Sequence, residues 1–258
     1  MTSILSRVPR GSLLGAALRL PLRLIPKQQV VTVRSGLNQG MKWIVGSSIH
    51  GCWLGHYEQD KQEIIRRVVK PGMKVFDIGA NAGFYTLAFS RLVGPSGHVW
   101  AFEPFAENAQ NLLRHVALNG LTNVTVIQAA ASDHTGLAGF RVAASNSMGA
   151  LSAEQNDYLV PTVALDDLLE RGTVPVPEVI KMDVEGAEAL VLRGARRVLH
   201  TGQSILLIAL HGAEPQRDCI AQLAASSYRV TLLDGQTTVN PAVPCDEIVA
   251  WPLSQGSA

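Results

Sequence analysis

The chain has 258 residues, a formal net charge of +1 and 47% hydrophobic residues, enough for one large α/β domain with a sizeable core. Near-neutrality argues against a nucleic-acid surface as the main partner, and no run of about eighteen apolar residues exists to span a bilayer as a helix. Cys52, Cys219 and Cys245 form neither a C-x-x-C pair nor a zinc-ligand set, so free thiols in a reducing compartment are the simplest expectation. Met1 to Tyr57 carries Arg7, Arg10, Arg19, Arg23, Lys27, Arg34 and Lys42 and no acid before Glu58. Within "GSLLGAALRLPLRLIP", leucines alternate with arginines and Pro21 divides the stretch in two. Such a segment suits peripheral contact with an anionic membrane surface, a leader helix packed on the domain or, in a eukaryotic source, a mitochondrial transit peptide. Residues 1–54 are therefore read as a basic N-terminal extension and 55–258 as the main domain, in the cytoplasm or at a membrane surface.

The first strongly patterned stretch is "KVFDIGANAGFYTLAFS", Lys74 to Ser90. Val75–Ile78 reads as a buried strand and Phe84 onward as a helix, so Gly79 to Gly83 is a strand-to-helix turn. A dinucleotide turn reads G-x-G-x-x-G; this one reads D-x-G-x-x-x-G. A carboxylate at Asp77 repels a pyrophosphate but suits a ligand carrying an ammonium or a sulfonium, which points to S-adenosylmethionine. The plainer reading makes Asp77 a helix cap in an ordinary doubly wound protein.

Next, Gly94–Gly97 is a turn and His98–Phe102 a second strand ending in Glu103, 20 residues beyond Gly83, a spacing that suits an acid accepting from ribose hydroxyls. A helix over Ala106–Asn119 follows. "NVTVIQAAASDHTG" then reads as a third strand with Ser132 and Asp133 at its carboxyl end, placed for an adenine edge or serving as a turn. Thr162–Leu165 ends a further strand, with Asp166 as a helix cap. Val179–Met182 is strand-like and runs into Asp183, Glu185, Gly186 and Glu188; acids are favoured in a first helical turn, so at least one of Glu185 and Glu188 is expected to cap. "ILLIALHG" carries His211 on the strand face of Ala209. "YRVTLLDG" and "DEIVAWPL" form a closing hairpin whose last strand runs antiparallel. The fold class expected is α/β, a seven-stranded, mostly parallel, doubly wound sheet.

In order along the chain, "GHYE" (Gly55–Glu58), "DIGANAGFYT" (Asp77–Thr86), "AFEP" (Ala101–Pro104), "AAASD" (Ala129–Asp133), "LDDL" (Leu165–Leu168) and "KMDVEGAE" (Lys181–Glu188) resemble the FkbM-type S-adenosylmethionine-dependent methyltransferases, a class I, Rossmann-like group. The resemblance implies that Asp77, Gly79, Asn81 and Gly83 hold the methionine part, Glu103 the ribose, and Ser132 and Asp133 the adenine side. It also implies a sugar, glycolipid or natural product as acceptor, hence O-methylation. One departure stands out: Ala209 occupies a position where such proteins commonly place Glu before Leu-His.

A sulfonium methyl needs only an aligned nucleophile, whereas an acceptor hydroxyl needs a base in reach or a metal. Asp183 and His211 are the expected bases, with Glu185 on the same turn. Asp183 and Glu185 also begin a Mg²⁺ site, but without a clear third ligand. An NAD-linked oxidoreductase would use Glu103 similarly but needs a third glycine in the first turn. A non-catalytic cofactor-binding subunit would keep the turn and lose the acceptor groups.

Overall fold

The computed structural model describes residues 25–142, 149–151 and 157–253. The leucine- and arginine-rich stretch up to residue 24, on which the membrane-surface expectation rests, lies outside them. β1 (Val30–Thr32) and β2 (Lys42–Ile44) pair antiparallel and are followed by α1 (His50–Leu54) and α2 (Gln59–Val68). Then β3 (Lys74–Ile78), α3 (Phe84–Val93), β4 (His98–Phe102), α4 (Ala106–Leu118) and β5 (Val124–Ile127) alternate. Four strands follow, with no helix among the described residues between them: β6 (Ala130–Ala131), β7 (Gly136–Val142), β8 (Gly149–Leu151) and β9 (Tyr158–Val163). The chain continues through α5 (Leu165–Glu170), β10 (Val179–Met182), α6 (Glu188–Arg193), α7 (Arg196–His200), β11 (Ile205–Ala209), α8 (Ala213–Ala225), β12 (Tyr228–Thr231) and β13 (Glu247–Pro252).

The main sheet has seven strands in the order β12-β13-β11-β10-β3-β4-β5, and β13 alone runs opposite to the other six. This is the expected α/β fold. Helices cover both faces, so the central strands are apolar runs rather than alternating ones. "VIKM" of β10 is buried throughout, including Lys181. The sheet order reverses between β3 and β10, which opens a crevice at their carboxyl ends.

Three local expectations are corrected. "NVTVIQAAASD" is not one strand: β5 ends at Ile127, Ala129 N–H turns back to the Ile127 carbonyl, and β6 enters a second sheet of order β6-β9-β7-β8. Ser132 and Asp133 thus follow β6 and not a strand of the main sheet. Asp166 does not cap its own helix, whose N-cap Ala164 offers no side-chain bond. It instead accepts the N–H groups of Arg197 at 2.9 Å and Val198 at 3.1 Å, capping α7.

The core runs across residue 54 without a break. Trp43, Ile44 and Trp53 are buried, and Trp43 packs edge-on against Phe84 of α3. His115 of α4 stacks on Trp43 at 4.0 Å, accepts the Ile44 N–H through Nε2 at 2.9 Å and donates from Nδ1 to the Ala82 carbonyl at 2.7 Å. One neutral imidazole therefore joins β2, α4 and the glycine turn.

Candidate active site

At the crevice lies a cavity of about 370 Å³, within the range of roughly 300–1,000 Å³ usual for small-molecule sites. Gly79, Asn81, Glu103, Asp183 and Glu185 line it, with Tyr57, Tyr85, Ala129–Ala131, Phe140 and Lys181 around them. Gly79 (φ +72°) is required by packing, because a Cβ there would collide with the Asp183 carbonyl oxygen. Gly83 (φ +94°) faces α4, where a Cβ would strike Leu112. The two turn glycines thus let β3, β10 and α4 approach one another. Asn81 (φ 50°) and Glu185 (φ 52°) also adopt left-handed backbone, a conformation that non-glycine residues keep only where the surroundings enforce it.

Asp77 lies beneath the turn, fully buried and away from the cavity. Its Oδ2 accepts from Thr86 Oγ1 at 2.6 Å, and its Oδ1 faces Lys181 Nζ at 3.3 Å. Lys181 stands opposite Asp77 in the β10–β3 register and also donates to the Gly79 carbonyl at 2.7 Å. The cation met by Asp77 therefore belongs to the protein's own adjacent strand. The sequence signal for this was a lysine inside an apolar strand.

Glu103 closes β4 as expected. Its carboxylate accepts the N–H groups of Asn81 at 2.7 Å and Phe105 at 2.9 Å. Burial raises its pKa above the usual range, while those N–H groups pull it back down. Ser132 and Asp133 are not among the lining residues. Asp133 turns to His134 Nδ1 at 2.8 Å and Arg193 at 3.7 Å. Cys52 lines the cavity, but burial pushes its thiol up to about 12, which makes it no nucleophile.

On the other side of Asp183 is a wider groove of about 680 Å³, also lined by Glu58, Lys61, Ala209, His211 and Glu247. His211 Nδ1 lies 2.7 Å from Oε1 of the fully buried Glu188, and its Nε2 lies 3.6 Å from both Asp183 Oδ1 and Glu185 Oε2. The Glu188 hydrogen bond raises the His211 pKa, against an opposing effect of burial, and the neighbouring carboxylates add to the rise. Glu188 also receives the Gly186 N–H at 3.0 Å, so the acid expected to serve the helix turn orients the histidine as well. Directly across from Ala209, β13 places Glu247, which pairs with the buried Lys61. Lys61 in turn reaches Glu58 at 2.8 Å, and Glu58 accepts from Tyr85 Oη at 2.6 Å. Burial works to raise the Glu58 pKa, but Lys61 and the tyrosine hydroxyls outweigh it and hold the group below its usual range. None of this Lys61 network was singled out from the sequence, apart from Glu58, because its members come from α2, α3 and β13.

A model of the FkbM methyltransferase domain matches residues 77–232, more than half of the chain. Among curated proteins, the hexuronic acid methyltransferase AglP of Haloferax volcanii is 26% identical over 174 residues, covering 66% of this chain and 70% of that protein. A protein-L-isoaspartate O-methyltransferase of Ignicoccus hospitalis is 34% identical over 59 residues, only 28% of its own length. Among solved structures, the FkbM methyltransferase from Methylobacillus flagellatus aligns with a TM-score of 0.46 at 18% identity, over 79% of this chain and 55% of that one. An S-adenosylmethionine-dependent O-methyltransferase from Thermotoga maritima aligns at 0.49 and 17% identity, over 87% of this chain and 77% of that one. The match of the family model over most of the α/β domain decides the assignment: the chain belongs to the FkbM family of S-adenosylmethionine-dependent methyltransferases.

Proposed function

We propose that the chain O-methylates a hydroxyl of a sugar, glycolipid or other natural product. The observation that carries this reading is the meeting of Asp183, Glu185 and His211 at the carboxyl ends of β10 and β11, where the cofactor cavity adjoins the groove. On this reading the Glu103 carboxylate, already oriented by two N–H groups, takes the ribose hydroxyls. The backbone at Gly79–Asn81 takes the methionine part, and the apolar Ala129–Ala131 and Phe140 wall takes the adenine. Bound S-adenosylmethionine supplies a methyl already activated by its sulfonium. The protein's task is then to exclude water, align the acceptor and accept or offset its proton.

Asp183 borders both spaces, so an acceptor lying in the groove meets the methyl past this carboxylate. His211, held by Glu188, presents Nε2 toward the same point. A non-catalytic cofactor-binding subunit has no use for that arrangement. The curated relative acts on a hexuronic acid, which puts hexuronic-acid glycans first among acceptors to try. The test is transfer of labelled methyl from S-adenosylmethionine onto glycan and lipid extracts, with mass spectrometry separating ether, ester and N-methyl products. A methyl ether supports the reading. Tight cofactor binding with no transfer to any hydroxyl-bearing fraction favours the non-catalytic subunit.

A further inference from the structure

We infer that Asp183, Glu185 and His211 form a binding site for a divalent first-row transition-metal ion. One ligand atom from each of the three lies within 4.8 Å of the others. At 3.6 Å, the two contacts of Nε2 exceed hydrogen-bond length. They match the separation of two donors sharing one ion, since ligand distances of about 2.0–2.2 Å at tetrahedral or right angles put neighbouring donors roughly 2.9–3.6 Å apart.

The histidine is also prepared for ligation. Its Nδ1 hydrogen goes to Glu188 Oε1 at 2.7 Å, and Glu188 is 0% exposed, so the ring is fixed with Nε2 toward the two carboxylates. A metal-bound imidazole backed by a buried carboxylate has this arrangement, because the second bond sets the tautomer and raises ligand basicity. The other Glu188 oxygen, Oε2, is buried without a hydrogen-bond partner. Such a group is costly to retain unless its ring-orienting role compensates.

His211 is the third ligand that the sequence pattern lacked, and it changes the expected ion. Mg²⁺ prefers an all-oxygen shell with several waters; the imidazole in this set suits Fe²⁺ or Zn²⁺, and the two carboxylates beside it suit Mn²⁺. Three protein ligands leave positions open, as in catalytic sites and unlike closed structural ones. The site stands on its own geometry, whereas use of the ion as a Lewis acid on an acceptor hydroxyl rests on the O-methyltransferase reading.

The experiment is titration of the chelator-stripped, full-length protein with Mn²⁺ alone, following the free-ion resonance. One Mn²⁺ per chain is expected to bind. His211→Ala and Asp183→Asn are expected to weaken it at least tenfold, and Glu188→Gln by about 10- to 100-fold, while a retained cooperative thermal unfolding transition of each variant reports an intact fold. If a variant loses its cooperative unfolding transition, Glu185→Gln, at a half-buried position, replaces it. No stoichiometric binding to the wild type, or equal binding to the folded variants, overturns the site. Stoichiometric Mn²⁺ binding that depends on His211 supports the site even if no hydroxyl is methylated. Methyl transfer that proceeds undiminished in the stripped protein removes the ion's role in the reaction.

Discussion

At the scale of single residues, the partner of Asp77 decides how its mutants behave. A carboxylate facing a ligand cation loses affinity when removed, but one paired with the buried Lys181 loses stability. Asp77→Asn leaves Lys181, only 3% exposed, without its counter-charge, and breaking one side of a buried pair costs about 3–5 kcal/mol. Glu103→Ala removes a carboxylate that lines the cavity and is expected to weaken S-adenosylhomocysteine binding by about 1–3 kcal/mol, with a smaller fall in melting temperature. Calorimetric affinities and thermal unfolding of the two variants check this. The opposite ranking, with Asp77→Asn the weaker binder and Glu103→Ala the less stable, would return Asp77 to the ligand side. Legibility follows the same division. Glu103 and Asp183 could be read because each follows a strand end, with Gly79 and Glu185 on the turns beyond, and strand ends in an open α/β sheet face the crevice; Asn81 came from the family resemblance alone. The Lys181 pairing could not be, since it depends on which strand lies beside β3. Asp133 was misplaced for a related reason, its strand belonging to a different sheet.

At the scale of elements, the five strands of the βα units were legible from apolar runs bounded by turn residues. The second sheet was not, apart from the strand end read at Thr162–Leu165. β7 "GLAGFRV" and β9 "YLVPTV" are half-exposed and carry glycines and a proline, so neither shows a clean period of two. The join between β2, α4 and the glycine turn is not legible in the sequence either, because a histidine in a helix has no distinctive spacing. It carries a definite pH dependence. Burial pushes the His115 imidazole from 6.5 down to about 4, reinforced by Arg114 and opposed by the bond to Ala82. The unfolded chain therefore binds the proton more readily than the folded one. This contribution to stability is complete above about pH 6.5 and is lost as pH falls toward 4, by about 3 kcal/mol in all. Chemical denaturation across that window checks it against His115→Gln, which has no proton to gain. The variant is expected to start less stable at neutral pH and to lose less on acidification. Parallel slopes for the two proteins would show that His115 titrates normally.

At the scale of the whole molecule, the basic extension expected over residues 1–54 ends inside the core. Trp43, Ile44 and Trp53 are buried there, and Trp43, Ser48, Ile49 and Cys52 line the cavity at the crevice. Burying a large apolar side chain stabilises by about 1.5–3 kcal/mol, so losing these three alone approaches the roughly 5–15 kcal/mol that holds a domain folded. A chain begun at residue 55 is therefore expected to be unfolded or aggregated, and without cofactor affinity. A chain begun at residue 25 keeps every side chain named above and is expected to retain both its unfolding transition and its S-adenosylhomocysteine binding. The pair of truncations, compared by calorimetry and by titration, places the functional boundary of the domain. The shorter deletion also tests the proposed contact of the leucine- and arginine-rich stretch with membranes. Full-length protein should bind anionic vesicles in a manner that weakens with salt, because exposed charges are screened within roughly 8 Å at physiological ionic strength, and the chain begun at residue 25 should not. Equal vesicle binding by both chains would move the contact onto the folded domain, and binding by neither would leave that stretch without a membrane role.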